Sequence, residues 1–177
     1  DGSTCAGSVI LSFGSINEAN GMVEILMQND IEIAGFQFII NDNPDVIDLV
    51  SVSGGSSENY DFTVSSSEQG TIVGFTLTGT TIPIGLNSLL IASFESDENE
   101  TVELCLSGAI FSDSNANGVS VNLGTCAQIN LSNSILGDIN NDGLVNVLDV
   151  VILVNIVLGI EEENYAGDIN NDGLVNV

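Results

Sequence analysis

The sequence contains no lysine, arginine or histidine, whereas aspartate and glutamate together number 25, so the formal net charge is −25. Without a basic side chain the protein has nothing to neutralise phosphates, which excludes nucleic acid and anionic membrane surfaces as partners. Side chains cannot form salt bridges either, so their repulsion must be relieved by salt or by bound cations. The same acidity is also typical of a secreted protein from a saline environment, where it serves solubility alone.

Long apolar stretches are missing as well. The most apolar stretch, residues 147–160, is interrupted by Asp149 and Asn155 and is shorter than the roughly 20 residues that cross a bilayer. We therefore expect no membrane insertion. The chain begins with Asp1 rather than Met, which we interpret as a mature N-terminus left by processing. A secreted, extracellular or cell-surface protein is the expectation.

Cysteine is scarce and odd in number: Cys5, Cys105 and Cys126. Cys105 and Cys126 flank the loop at residues 113–118 symmetrically, so in an unbulged hairpin they would lie opposite each other and close enough to bridge. A Cys5–Cys126 disulfide is the alternative, if the first and last strands are neighbours. The third cysteine is then either buried or linked to another chain.

Residues 1–130 show the alternation of half-buried strands, separated by turns rich in Gly, Ser, Asn and Asp. Three apolar sets at a period of two are Val23, Ile25 and Met27; Phe36, Phe38 and Ile40; and Val73, Phe75 and Leu77. About nine strands fit this region, and no helix of ordinary length does. The pattern predicts a mainly β protein with an antiparallel β-sandwich.

An acidic segment, GDINNDGLVNV, occurs at residues 137–147 and again at residues 167–177. A calcium loop of twelve residues supplies oxygens from positions 1, 3, 5, 7, 9 and 12, with glycine at position 6. In the first copy those positions hold Asp138, Asn140, Asp142, the Leu144 carbonyl, Asn146 and Asp149. Gly143 is sixth, and Val145 at position 8 is predicted to anchor the loop against a core. Leu148, Val151, Ile152 and Leu158 then follow at helical spacing, and Gly159 ends the helix.

The pattern G-D-x-N-x-D-G-x-V-N-x-x-D, followed by an apolar helix and Leu-Gly and then repeated, resembles a type I dockerin over residues 137–177. That family lacks the entering helix of an EF-hand and carries Asp at position 12, as this chain does. The resemblance implies two calcium-bound loop-helix halves that fold only with metal and bind a cohesin domain. It implies a second Ca²⁺ site formed by Asp168, Asn170, Asp172, the Leu174 carbonyl and Asn176.

Position 12 of the second copy would lie two residues beyond Val177. We therefore expect the natural chain to continue; the alternative is an oxygen from a neighbouring molecule. Dockerins usually present small hydroxyl residues at loop positions 10 and 11 and basic residues further along the helix. Here Val147, Leu148, Val154 and Asn155 occupy those places. Recognition is therefore expected to be apolar or through backbone and amide hydrogen bonds.

The segments IAGFQFIINDNPDVIDLVSVSGG and TIPIGLNSLLIASF, at residues 33–55 and 81–94, resemble strands of cohesin domains. The resemblance implies a nine-stranded jelly roll without catalytic activity. We expect a cohesin-like sandwich at residues 1–130, a linker at residues 131–137 and a dockerin-like module at residues 138–177. The linker would reach about 23 Å when fully extended.

Other motifs carry less weight. The turn at residues 113–118 begins like a calcium loop, but positions 9 and 12 are Val121 and Gly124, so a hairpin turn is the better interpretation. Asn99 and Asn130 each begin an N-glycosylation sequon. Catalysis is not expected, because the usual bases for activating Ser or Cys are absent and the densest acids are explained as metal ligands.

One chain with a cohesin-like and a dockerin-like part predicts a non-catalytic structural subunit. With a short linker, we expect the C-terminal module to bind another molecule rather than its own sandwich, giving a calcium-dependent head-to-tail homopolymer or filament. One alternative is a scaffold or cell-surface adhesion component that docks onto another cohesin-bearing protein, as in cellulosome-like complexes. Another is a polysaccharide-binding sandwich with the dockerin as its anchor.

Overall fold

The computed structural model describes residues 7–18, 20–96, 98, 100–131, 137–140, 142, 144–160, 167 and 175. The chain divides into two compact units, Asp1–Ser132 (unit 1) and Asn133–Val177 (unit 2). The elements, in chain order, are β1 (Ser8–Asn17), β2 (Met22–Asn29), β3 (Gly35–Asn43), β4 (Asp48–Ser53), α1 (Gly55–Asn59), β5 (Thr63–Ser66), β6 (Thr71–Phe75), β7 (Gly85–Glu95), β8 (Thr101–Ser112), β9 (Gly118–Leu123), β10 (Ala127–Asn130) and α2 (Val147–Val157).

Unit 1 is a nearly closed β-sandwich, as the alternation predicts. Its strands follow the hydrogen-bonded order β4-β7-β2-β1-β9-β8-β3-β6-β5, and β10 pairs with β8 outside this path. Among the described strands, only β1 and β9 pair in parallel. Because β9 contacts both β1 and β8, it joins the two halves of the sandwich. The expected nine strands are thus found with a tenth, and the connection between β4 and β5 contains the short helix α1.

The core is built by the strand faces that the period of two marks as apolar. Ile25 and Met27 of β2 and Phe38 of β3 are fully buried. The Phe36 ring packs between those of Phe62 and Phe111, with centroids 5.8 and 5.9 Å away. Truncation of such a ring to alanine typically costs about 3–5 kcal/mol, so this aromatic group is expected to contribute substantially to the stability of the core.

The third predicted apolar set, Val73, Phe75 and Leu77, was expected to face the core but lies towards solvent. Phe75 and Leu77 are exposed, and Val73 is half-buried, whereas Ile72 of the same strand is fully buried. The reason is Gly74: a Cβ atom there would lie 2.1 Å from the Phe36 ring, so this glycine leaves the space that the ring fills. The Ile72–Gly74 face of β6 therefore points inward, and the more apolar face points outward.

The C-terminal strands take a more complex course than the expected hairpin. β9 pairs with β8 only at Phe111–Val119 and Ser112–Gly118 and then continues beside β1. β10 returns to β8, with Ala127 opposite Leu104. Cys126, directly before β10, therefore reaches Cys105, and the two form a disulfide with a Cα–Cα distance of 4.4 Å. This bond contradicts the alternative Cys5–Cys126 pairing, and Cys5 itself lies outside the described residues.

Unit 2 has one described helix, α2, and a small core. Ile139 and Ile156 are buried there, with Ile152, Leu153 and Val175 packed against them. Gly159 follows the helix with φ +70°, the left-handed conformation that commonly ends helices and that glycine adopts readily. Within the described part of the chain, no helix is long and apolar enough to cross a membrane.

Candidate metal centre

The acidic loop of the first repeat leads from Gly137 directly into helix α2. Asn146 is the N-cap of that helix, and its side-chain oxygen accepts a hydrogen bond from Leu148 N at 2.9 Å. Asp149 reciprocates by accepting from Asn146 N at 2.8 Å, which completes a capping box. The residues at positions 9 and 12 of the loop are thereby fixed by the start of the helix.

The remaining polar side chains of the loop accept hydrogen bonds from backbone N–H groups of the same loop. Asp142 N donates to both Asp138 Oδ1 (3.1 Å) and Asn140 Oδ1 (2.9 Å). Leu144 N donates to Asp142 Oδ1 at 2.9 Å. The side chains at positions 1 and 3 thus both contact the backbone at position 5, in the manner of Asx turns.

Asp149 closes the loop onto itself. Its Oδ1 accepts hydrogen bonds from Ile139 N (2.9 Å) and Asn140 N (3.1 Å), ten and nine residues earlier. The Asn146 N–H, together with those of Asn140 and Ile139, lowers the pKa of this carboxyl despite the opposing effect of burial. Asp149 thus joins the backbone of loop positions 2 and 3 to that of position 9.

The donor set fits a hard cation. Asp138 and Asp149 are buried, with 3% and 2% of their surfaces exposed. Burying two carboxylates is costly unless charge and hydrogen bonds compensate, and this chain has no basic side chain that could do so. The ligand atoms at positions 1, 3, 5, 7, 9 and 12 are all oxygens, which is the chemistry that Ca²⁺ prefers. The residues that would hold it are Asp138, Asn140, Asp142, the Leu144 carbonyl, Asn146 and Asp149.

The apolar anchor of this loop is not the residue expected from the sequence. Val145 at position 8 is 57% exposed, whereas Ile139 at position 2 is only 6% exposed and belongs to the core of unit 2. A Cβ on Gly137 would lie 3.2 Å from Val145, and one on Gly167 would lie 3.0 Å from Val175. Each repeat thus places its leading glycine beside its own position-8 valine, but only Val175 packs against the core.

Several predicted residues cannot be placed. Asp168, Asn170, Asp172, Leu174 and Asn176 of the second loop, and Asn99, lie outside the described residues. Asn130 ends β10, is exposed, and accepts a hydrogen bond from Thr101 Oγ1 at 2.8 Å. The turn after β8 is a hairpin turn in which Asp113 accepts from Asn115 N and Asn117 N, in agreement with the sequence interpretation.

Helix α2 presents an apolar surface that the sequence indicated only in part. Its large exposed side chains are Val147, Leu148, Val150, Val151, Val154 and Val157, continued by Leu158 and Ile160. We call these eight residues the apolar stripe. Asp149, the one charged residue of α2, is buried in the loop. The stripe therefore carries no charge, on a protein whose charges are all negative.

Comparison with known protein families and structures finds a similarity for each unit. The family model of the dockerin type I domain matches residues 136–177. No curated protein sequence matches the chain. The structural neighbours are cohesin domains, at identities that establish similarity of fold only.

Among the solved structures, a non-cellulosomal cohesin from the archaeon Archaeoglobus fulgidus superposes with a TM-score of 0.55 at 18% identity. The match covers 76% of this chain and 99% of that one. The third cohesin ScaC of Acetivibrio cellulolyticus, solved in complex with the ScaB dockerin, gives a TM-score of 0.54 at 17% identity over 70% of this chain and 98% of that one. A type I cohesin–dockerin complex from Clostridium thermocellum gives 0.50 at 10% identity, covering 71% and 94%. The chain thus consists of a cohesin-like β-sandwich followed by a segment that matches the type I dockerin domain.

Proposed function

We propose that the protein is a non-catalytic, extracellular structural subunit that assembles head to tail into a calcium-dependent polymer. The contact would join the dockerin-like segment of one molecule to the cohesin-like sandwich of the next. The observation that carries the proposal is the presence of both kinds of module in a single chain. Two of the similar structures are cohesins in complex with dockerins.

Calcium dependence rests on the loop of the first repeat. Bound Ca²⁺ would supply the positive charge that no side chain of this protein can supply. Asp149 ties the start of the loop to the first turn of α2 through its three backbone hydrogen bonds. Filling the loop would therefore stabilise the helix that follows, because metal binding and folding share these residues.

The apolar stripe on α2 is the surface of unit 2 that best suits such a contact. Two copies of this chain repel each other wherever carboxylates face carboxylates, and no basic residue can relieve that repulsion. An uncharged stripe avoids the repulsion and gains free energy by removing apolar surface from water, at roughly 25 cal/mol per Å². We infer that the contact is apolar and that added salt does not weaken it.

Head-to-tail joining of different surfaces gives a ring if the rotation closes and a filament if it does not.

A second candidate function keeps the same modules but changes the partner: the dockerin-like segment would dock onto a cohesin of another protein. This alternative is favoured by the similar complex from Acetivibrio cellulolyticus, in which cohesin and dockerin come from differently named proteins.

Sedimentation velocity of the full chain, with calcium and then with EDTA, separates these functions. Assemblies that grow with protein concentration in calcium and dissociate in EDTA support self-assembly, and electron microscopy then tells filaments from rings. A calcium-bound monomer at every concentration would contradict self-assembly and favour a separate cohesin-bearing partner.

A pair of variants tests the apolar stripe. Val151→Asp places a carboxylate on the stripe, where Val151 is 53% exposed, and should abolish assembly while the heat of calcium binding is retained. Leu77→Asp adds the same charge at an 86% exposed position of unit 1 and is the matched control. Equal loss of assembly in both variants would mean that net charge, rather than the stripe, governs association.

A further inference from the structure

The Cys105–Cys126 disulfide of unit 1 lies beside the Glu103 carboxylate. These three residues are possible metal ligands that are distinct from those of the acidic loop. Glu103 and Cys105 are two residues apart on β8 and so share one face of the strand, while Leu104 between them is buried. Cys126 reaches Cys105 from the chain just before β10. The donor atoms of Glu103, Cys105 and Cys126 all lie within 4.8 Å of one another.

We propose that reduction of the Cys105–Cys126 disulfide converts this cluster into a site for a thiophilic divalent cation such as Zn²⁺. A dithiol reductant would transfer two electrons and two protons to the disulfide, giving two cysteine thiols and an oxidised, cyclic reductant. Metal binding would then release both thiol protons, leaving two thiolates and the Glu103 carboxylate as ligands. Zinc commonly takes sulfur and carboxylate ligands in tetrahedral geometry, with the fourth position open to water.

The local structure can accommodate the change. Tetrahedral coordination places two sulfur atoms roughly 3.8 Å apart, against about 2 Å in a disulfide. Cys126 belongs to the short connection between Leu123 of β9 and Ala127 of β10, outside any strand. A small movement of this connection opens the pair without breaking the ladder between β10 and β8. Glu103 and Cys126 are exposed and Cys105 is half-buried, so the metal can enter from solvent.

Electrostatics favour a cation over any other partner for the reduced cluster. No lysine, arginine or histidine exists in the chain to pair with the carboxylate or the thiolates. Cation choice follows ligand softness: thiolates select zinc-like ions, whereas the oxygen donors of the acidic loop suit calcium. The reduced cluster would therefore select zinc-like ions and the acidic loop would select calcium. A metal bound at the cluster would replace the covalent link that attaches the start of β10 to β8.

Cobalt(II) titration of the reduced full chain in saturating calcium tests this proposal. The expected result is one equivalent of cobalt with thiolate-to-metal charge-transfer absorption in the near ultraviolet, bleached by Zn²⁺ and unaffected by further Ca²⁺. The oxidised chain should give no such band. No band in the reduced chain, or a band in the oxidised one, would overturn the site.

Variants identify the ligands. The Cys105→Ser and Cys126→Ser variants should each lose the band, whereas Cys5→Ser should keep it. Glu103→Gln should weaken cobalt binding by at least about tenfold, as loss of a group supporting a metal typically does. Glu100→Gln, which removes the same charge from an exposed neighbour, should leave the affinity unchanged. Persistence of the absorption band in Cys105→Ser or in Cys126→Ser would refute the three-ligand set. Equal cobalt affinities of Glu103→Gln and Glu100→Gln would also refute it.

Discussion

Asp113 and Asp149 show how the setting of a carboxylate decides its role. Both collect backbone N–H groups over a short sequence distance. Besides Asp149, four side chains and one carbonyl offer oxygens at the spacing of a calcium loop. Around Asp113 the later positions are Val121 and Gly124, and its second carboxylate oxygen accepts from the Asn117 side chain instead. The first arrangement suits a cation, and the second only fixes a hairpin.

The hairpin role of Asp113 predicts a pH dependence of stability. The Asn117 side chain and backbone N–H, with a contribution from Asn115, lower the pKa of Asp113 below its ordinary value, although burial acts in the opposite sense. A lowered folded-state pKa adds stability above the unfolded pKa of about 3.9, and that stability is lost as pH falls through the folded pKa. Asp113→Asn should therefore be less stable than the wild type near neutral pH, with the gap closing in acid.

Urea unfolding of both proteins in EDTA, at about pH 7 and about pH 3, measures that gap. EDTA removes the contribution of metal binding from the comparison. A difference between wild type and Asp113→Asn that stays constant across this range would show that the carboxylate charge contributes nothing to the turn.

The hydrogen bonds within the acidic loop are local in sequence. The spacing of Asp138, Asn140 and Asp142 decides which side chain meets which backbone N–H. Burial was harder to predict. Val145 was expected to be the anchor, but whether position 2 or position 8 of a loop is buried depends on what packs across from it. Sequence spacing carries no information about that partner.

At the scale of elements, period-two alternation identified the strands but not always their inward face. In β2 and β3 the more apolar face is the buried one. In β6 the less apolar face is the buried one, because Gly74 lies on it and has no side chain. The Phe36 ring occupies the space that a side chain at position 74 would fill. The parallel pairing of β1 with β9 was likewise not predictable, since it joins residues more than a hundred positions apart.

Two glycines with the same backbone conformation provide a test of packing between elements. Gly70 has φ +81°, and a Cβ there would lie 2.0 Å from the Ile40 carbonyl oxygen of β3. Gly79 has φ +79° with nothing within 4 Å. Gly79→Ala should cost only the left-handed conformation, about 1–2 kcal/mol. Gly70→Ala should cost about 1–3 kcal/mol more, because the backbone of β3 must also shift.

Chemical denaturation of both alanine variants, followed by a signal from unit 1, gives the two free energies of unfolding. Equal destabilisation would mean that the turn before β6 moves freely away from β3, and that the hydrogen bond from Ile40 N to Gly70 O does not hold it there.

On the scale of the whole molecule, charge has one sign and an uneven distribution. Of the 25 acidic residues, only Glu24, Asp42, Asp48, Glu95 and Glu103 lie within the described strands. The other acidic residues that the structure describes lie in turns, in helices or between strands. The strands of the sandwich are therefore poor in charge, and the repulsion is concentrated where chain segments connect.

Because every interaction between charged side chains is repulsive, screening can only help the folded state. The melting temperature of the chain in EDTA should rise steadily as NaCl increases from about 0.01 to about 0.5 M, as the Debye length falls from about 30 Å to a few ångströms. In a protein with ion pairs, salt also weakens the attraction within those pairs, which offsets part of the stabilisation. Sucrose at matched osmolality is the control for general solvent effects. A melting temperature that falls or stays level in this range would contradict the charge account.

We propose that the acidic loop binds Ca²⁺ and that the bound ion stabilises helix α2. Calorimetric titration of the chelator-treated full chain with Ca²⁺, monitored in parallel by circular dichroism, tests it most directly. We expect saturable heat together with a gain of helical signal, both strongly reduced in Asp149→Ala. Both should be unchanged in Asp45→Ala, which removes an exposed carboxylate from a turn of unit 1. Absence of heat and of any helical gain in the wild type, or an equal response in Asp149→Ala, would contradict it.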